Sequence, residues 1–178
     1  VFRRTGNAYN ARRRFDDERM SSQTELQHGT VRNYVDGEWT TPAADGEDVT
    51  NPATGESIAR VGYSSEGDVD EAVTTGQDAF EEWHRRPVEE RIQPLFELKQ
   101  LLEEHQDDLA ALLVEEHGKT FGEAKGELRR GIENVETACG IPSLMQAGHV
   151  ENAAPSIDET AVRKPVGVFA AVTPFNFP

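Results

Sequence analysis

Cysteine is nearly absent: Cys139 stands alone in 178 residues. One thiol cannot build a disulfide framework within the chain, and it leaves no Cys-rich zinc site. The histidines do not supply one either. His28, His84, His105, His117 and His149 all lie outside zinc-ligand spacing of one another and of the cysteine, so no metal site is expected. Lysine is scarce, limited to Lys99, Lys119, Lys125 and Lys164. Long apolar runs are missing too. The longest uncharged one, residues 166–172, falls far short of the roughly 20 residues of a membrane-spanning helix, so a membrane-spanning protein is excluded, and the chain's acidic charge makes a membrane surface an unexpected partner.

What is abundant is acid. Against 18 Lys and Arg stand 33 Asp and Glu, a net charge of −15. Such a surface repels phosphate backbones, and nucleic acid is not an expected partner. The charge is uneven. Residues 1–19 hold six arginines against Asp16, Asp17 and Glu18, while the remainder carries 12 basic and 30 acidic groups, or −18. An excess this large costs self-repulsion unless salt screens it. The expectation is a cytoplasmic protein of a high-salt cell; an ordinary acidic protein is the alternative.

Both ends bear on organisation. The chain opens on Val1, and its basic character stops at Met20. Residues 1–19 could be a nucleic-acid-binding arm, a targeting peptide or upstream sequence translated from a mis-set start. A secretory signal needs an apolar centre, which is missing. The segment has no periodicity, so we expect a disordered mis-set start, with Met20 as the true first residue. At the other end an apolar run over 166–172 reads as a buried strand, and a lone terminal strand has nothing to pair with. A fragment of a longer chain is expected.

Between the ends, residues 30–35 and 38–40 read as a β-hairpin around a type I′ Asp36-Gly37 turn. Residues 41–46 read as a loop. Short strands at 48–50 and 57–61 flank Asn51-Pro52-Ala53-Thr54-Gly55. Ser65 followed by Asp68 resembles a capping box, and Val69, Ala72, Val73, Phe80 and Trp83 recur at helical spacing up to Pro87. A second helix starts near Val88, with a kink or split expected at Pro94 and a stop at Gly118, where Lys119 suits the negative end of the dipole. A third helix is expected over 121–138 and a shorter one over 142–147. Gly148 then begins extended structure, interrupted by Pro155 and Pro165.

Few residues point to chemistry. Gly118-Lys119-Thr120 resembles the end of a phosphate-binding loop, but that motif needs a glycine at 113, where Leu113 sits within a helix. Cys139 has apolar neighbours and reads as structural. The acid pairs, such as Glu103-Glu104 and Glu115-Glu116, read as solvated helix faces. The informative segment follows the last apolar run: Thr173-Pro174-Phe175-Asn176-Phe177-Pro178. In α/β sheets, ligands bind beyond the carboxyl ends of strands. An Asn there can donate its amide to an oxygen gaining negative charge. It can equally be a plain loop residue, and the chemistry alone leaves both readings open.

That segment resembles the strand-end signature of the aldehyde dehydrogenase superfamily, Thr-Pro-(Trp or Phe)-Asn-Phe-Pro. Asn51-Pro-Ala-Thr-Gly-Glu56 resembles the family's early turn, and Glu116-His-Gly-Lys-Thr120 its Glu-x-Gly-Lys helix end. The resemblance covers about residues 30–178. Phe175 in place of the commoner Trp, the run from Arg130 to Pro142, and Glu151-Asn152-Ala153 with Ile157-Asp158 resemble the methylmalonate-semialdehyde branch.

The resemblance implies an α/β fold: an N-terminal strand-helix region over 20–148, oligomerisation strands over 149–165, and the first strand of a truncated Rossmann-like NAD domain over 166–178. It implies NAD as hydride acceptor, CoA as acyl acceptor, a small-molecule aldehyde as substrate, and a homo-oligomer (dimer or tetramer) at full length. By the same resemblance Asn176 is catalytic, holding the oxygen of the tetrahedral intermediate, and Thr173, Pro174 and Phe175 contact NAD. The nucleophilic cysteine lies beyond this chain, which is expected to be inactive alone. Two other readings stay open: a semialdehyde or lactaldehyde dehydrogenase that uses water, and a non-catalytic assembly fragment.

Overall fold

The computed structural model describes residues 29–42 and 44–177. The expected disorder of residues 1–19 and the start at Met20 lie outside the described residues. One compact unit holds the described residues up to Ala72 together with Glu115–Gly118; the other holds Val73–Val114 and the residues from Lys119 onward.

The first unit is built on strands β1 (Thr30–Val31), β2 (Asn33–Val35), β3 (Glu38–Thr40), β4 (Ala44–Thr50) and β5 (Ser57–Tyr63). Strands β2 and β3 form the expected hairpin, pairing Tyr34 with Trp39 across it, but its first strand is Asn33–Val35 rather than 30–35, because Thr30–Val31 pairs with β5 instead. Asp36 (φ 52°) and Gly37 (φ 79°) take the left-handed conformations that a type I′ turn requires. The two rings meet at 4.8 Å, a cross-strand pair that helps fix the register. Strand β5 lies between β1, parallel to it, and β4, antiparallel to it. The β4–β5 turn is held by Asn51: its carbonyl accepts the Gly55 N–H at 2.7 Å and its side chain the Ala53 N–H at 2.9 Å. Strand β4 begins at Ala44, so part of the expected 41–46 loop is strand.

Helix α1 (Glu66–Trp83) starts at the expected cap. The Asp68 carboxylate accepts the Ser65 N–H at 2.6 Å, and Ser65 Oγ accepts the Asp68 N–H at 3.2 Å. Its apolar stripe is wider than the described residues cover, leaving Val69 and Val73 exposed.

The second expected helix is three segments: α2 (Val88–Arg91), α3 (Gln93–Glu104) and α4 (Gln106–His117). The first break falls at Ile92 rather than Pro94, because Pro94 occupies the first turn of α3, where its missing N–H costs nothing. The second break, at His105 (φ −107°, ψ 16°), has no local breaker. Helix α5 (Phe121–Cys139) packs against α3, and α6 (Ile141–Leu144) follows at once. The core of this second unit is small, with Ile92, Ala110, Ala124 and Ile132 buried. Cys139 is half-buried at the end of α5.

Strands β6 (Gly148–Ala154) and β7 (Ile157–Ala161) pair as an antiparallel hairpin. Arg163 closes the preceding connection by donating to the Leu144 carbonyl at 2.6 Å and the Gln146 carbonyl at 3.0 Å. Residues 166–172, read above as a strand, join no ladder among the described residues. The run touches α1 at Gly76, where a Cβ would come within 3.1 Å of Val168. Val166, Phe169 and Val172 face outward, the last 97% exposed. An apolar run becomes a strand only where neighbours take its N–H and C=O groups. No helix of the described residues is long and apolar enough to cross a membrane, and no cluster of His, Cys, Asp and Glu among them could hold a metal.

Candidate active site

The site lies in the second unit, at the start of α5. Gly118 (φ 71°) ends α4 in the left-handed conformation, which glycine adopts at little cost. A Cβ there would also meet Pro52 at 3.0 Å. Thr120 then caps α5. Its hydroxyl accepts the Glu123 N–H at 3.3 Å, and the Glu123 carboxylate takes the Thr120 hydroxyl at 2.7 Å and N–H at 3.0 Å. Those bonds, the hydroxyl's first, hold the Glu123 carboxyl below the usual carboxylate range.

Lys119 lies between these two caps. Its ammonium donates to Glu127, one helical turn beyond Glu123 on α5. Both side chains are largely withdrawn from solvent, 16% exposed for Lys119 and 11% for Glu127. Oε1 of Glu127 is buried with no hydrogen-bond partner among the described residues.

The same ammonium donates to the backbone carbonyl of Asn176 at 3.4 Å and lies 5.7 Å from the centre of the Phe177 ring. Arg130 of α5 stands 5.7 Å from that ring as well. Asn176 belongs to a tight turn in which the Phe177 N–H donates to the Pro174 carbonyl at 3.2 Å. The turn thus holds Pro174, Phe175 and Asn176 of the residues singled out from sequence, and Thr173 precedes it at the end of the extended run. All four are exposed, Phe175 to 87%.

Sequence reasoning assigns Lys119 to the helix dipole and to the Glu-x-Gly-Lys resemblance, names Arg130 and Phe177 only within resembling motifs, and gives Glu127 no role. One signal was available. Glu127 falls one turn after the buried Ala124 on α5, at the flank of the packed face, and an acid withdrawn from solvent there requires a partner.

The mixed strand-helix architecture and the turn at its C-terminal end define the class. The aldehyde dehydrogenase family profile matches residues 39–178, and the chain belongs to that family. Among curated relatives, malonate-semialdehyde dehydrogenase 2 of Oceanobacillus iheyensis is 46% identical over 149 residues, covering 83% of this chain and 31% of that protein. Among solved structures, methylmalonate-semialdehyde dehydrogenase of Oceanimonas doudoroffii is 42% identical with a TM-score of 0.79, covering 83% of this chain and 30% of that one. A Sinorhizobium meliloti protein provisionally named methylmalonate-semialdehyde dehydrogenase, solved with NAD, is 36% identical with a TM-score of 0.79, over 84% of this chain and 30% of that one. The chain thus spans less than a third of the length of these relatives.

Proposed function

We propose that this chain is the N-terminal part of an NAD-dependent aldehyde dehydrogenase that oxidises malonate or methylmalonate semialdehyde, with CoA taking the acyl group from a cysteine thioester. The observation that carries this reading is the 46% identity to a malonate-semialdehyde dehydrogenase. The solved Sinorhizobium meliloti relative with NAD bound supports the choice of cofactor.

The turn fits a nicotinamide dinucleotide chemically: Thr173 offers a hydroxyl, and Pro174 and Phe175 offer exposed apolar surface. When bound, the cofactor supplies a hydride acceptor. Asn176 acts on the substrate side. Its side-chain N–H meets the aldehyde oxygen as that oxygen gains negative charge, and the donor is fixed before the charge develops. In this reading Cys139, at the end of α5, does not match the family's nucleophile, and the nucleophilic thiol lies further along the intact protein. The 178-residue chain alone is therefore inactive.

In the same reading residues 149–165 are oligomerisation strands, and 166–178 begin the NAD-binding domain with 166–172 as its first strand. The whole is a cytoplasmic homo-oligomer. The test is to offer malonate and methylmalonate semialdehyde to the intact protein with NAD, with and without CoA. NADH together with an acyl-CoA is expected. NADH formed equally well without CoA would make water the acceptor, and no NADH from either aldehyde would overturn the reading.

A further inference from the structure

We propose that Lys119, held by Glu127, is a positioning residue for Asn176: it clamps the backbone of the turn from which the Asn176 amide is presented. The inference rests on the reading of Asn176 given above, but the contacts that motivate it are independent of that reading. A buried ammonium and carboxylate are expensive to desolvate, and such a pair is weak evidence for stability. Here the pair does something a stability role does not require. The ammonium has three donors. One is spent on Glu127 and one on the Asn176 carbonyl, across 57 residues of sequence. Its charge also lies against the Phe177 ring, whose other cation is Arg130. The peptide joining Asn176 to Phe177 is thus gripped on its carbonyl, on the following ring, and by the Phe177 N–H bond to Pro174.

The orientation of an amide donor follows the backbone that carries it. A misplacement of about 1 Å in a catalytic constellation can cost roughly 10²-fold in rate. Lys119→Met keeps much of the side chain's length and removes the charge and the donors. Without them the turn keeps its internal hydrogen bond and the Arg130 contact on the Phe177 ring, and loses the grip on the Asn176 carbonyl.

The experiment uses the intact protein and two readouts. In single-turnover NADH formation at saturating NAD, Lys119→Met should react about 10²-fold more slowly, with little change in the aldehyde KM. Lys119→Arg should recover part of the loss, and Glu127→Gln should lose less than Lys119→Met. In the Asn176→Ala background, Lys119→Met should slow the reaction by no more than about twofold, because residues acting through one another are not additive. A general structural defect would instead subtract the same factor in both backgrounds, and that result overturns the proposal.

The second readout needs no activity: hydrogen exchange at the Phe177 amide should speed up in Lys119→Met, and unchanged protection also overturns the proposal. If Lys119→Met does not fold, the same two measurements on Glu127→Gln decide, with a wild-type rate and wild-type exchange counting against the clamp. A wild-type protein that oxidises neither semialdehyde defeats the proposed function instead, and the exchange measurement still tests the clamp.

Discussion

Thr120 and Glu123 cap each other: the Thr120 hydroxyl accepts the Glu123 N–H at 3.3 Å while the Glu123 carboxylate accepts the Thr120 N–H at 3.0 Å. The cap starts α5, the helix that carries Glu127 and Arg130 to the Asn176 turn. Thr120→Ala should therefore destabilise the protein by about 1 kcal/mol, read as a lower urea midpoint. The pH dependence follows from the lowered Glu123 value, caused first by the Thr120 hydroxyl. A lowered folded-state value means the contribution is complete above the ordinary Glu value of about 4.3 and is lost as pH falls through the folded value. Glu123→Gln should thus matter at neutral pH, and its difference from wild type should shrink in acid. A difference that grows in acid would contradict the assignment.

Gly46 is the tightest point of the first sheet. A Cβ there would lie 1.6 Å from the Val61 carbonyl oxygen, a backbone atom that cannot move without breaking the β4–β5 register. Gly46→Ala should cost at least about 1–3 kcal/mol, the range for overpacking. Gly55→Ala is the control: nothing lies within 4 Å, and only its φ of 77° is strained. Its cost should be about 1–2 kcal/mol. Comparable urea midpoints for Gly46→Ala and wild type would show that β4 is not paired as described.

How much of this was legible in the sequence depends on range. Asp36-Gly37, Ser65 with Asp68, and Gly118 each act within a few residues, through turn conformation or a cap, and each stands where its chemistry put it. The break at His105 carries no Gly or Pro, so no local signal marks it. The parallel pairing of β1 with β5 joins Thr30 to Arg60, and no local pattern encodes it. The same holds for the site. Asn176 was found by its motif, whereas Lys119 reaches it across 57 residues, so its contact appears only in the folded chain.

Charge gives a solution test. With −15 on the chain, self-repulsion opposes compaction, and salt screens it. Local pairing, such as Arg129 with Glu133 at 3.3 Å and Glu136 at 3.0 Å, is exposed and worth little, about 0–1 kcal/mol per pair. Raising KCl from millimolar to molar should raise Tm. A Tm that falls with salt would show that the pairs outweigh the repulsion, and would count against a high-salt origin.

The β6–β7 hairpin tests assembly. Val150 is 55% exposed and Ile157 53%, and both would be covered if the hairpin pairs with another subunit as proposed. The intact protein should sediment as a dimer or tetramer, and Val150→Asp with Ile157→Asp should shift it toward monomer. A strict wild-type monomer would contradict the role given to residues 149–165.

The central claim is that Asn176 meets the charge that develops on the aldehyde oxygen. Asn176→Ala should leave folding and NAD affinity nearly unchanged, while Phe175→Ala should weaken NAD binding through lost packing. The deciding measurement is single-turnover NADH formation by the intact protein at saturating NAD. Loss of one such donor is expected to slow it by about 10²–10³-fold, or about 3–4 kcal/mol. If Asn176→Ala forms NADH at the wild-type rate under those conditions, Asn176 is not the donor and the account of this turn is wrong.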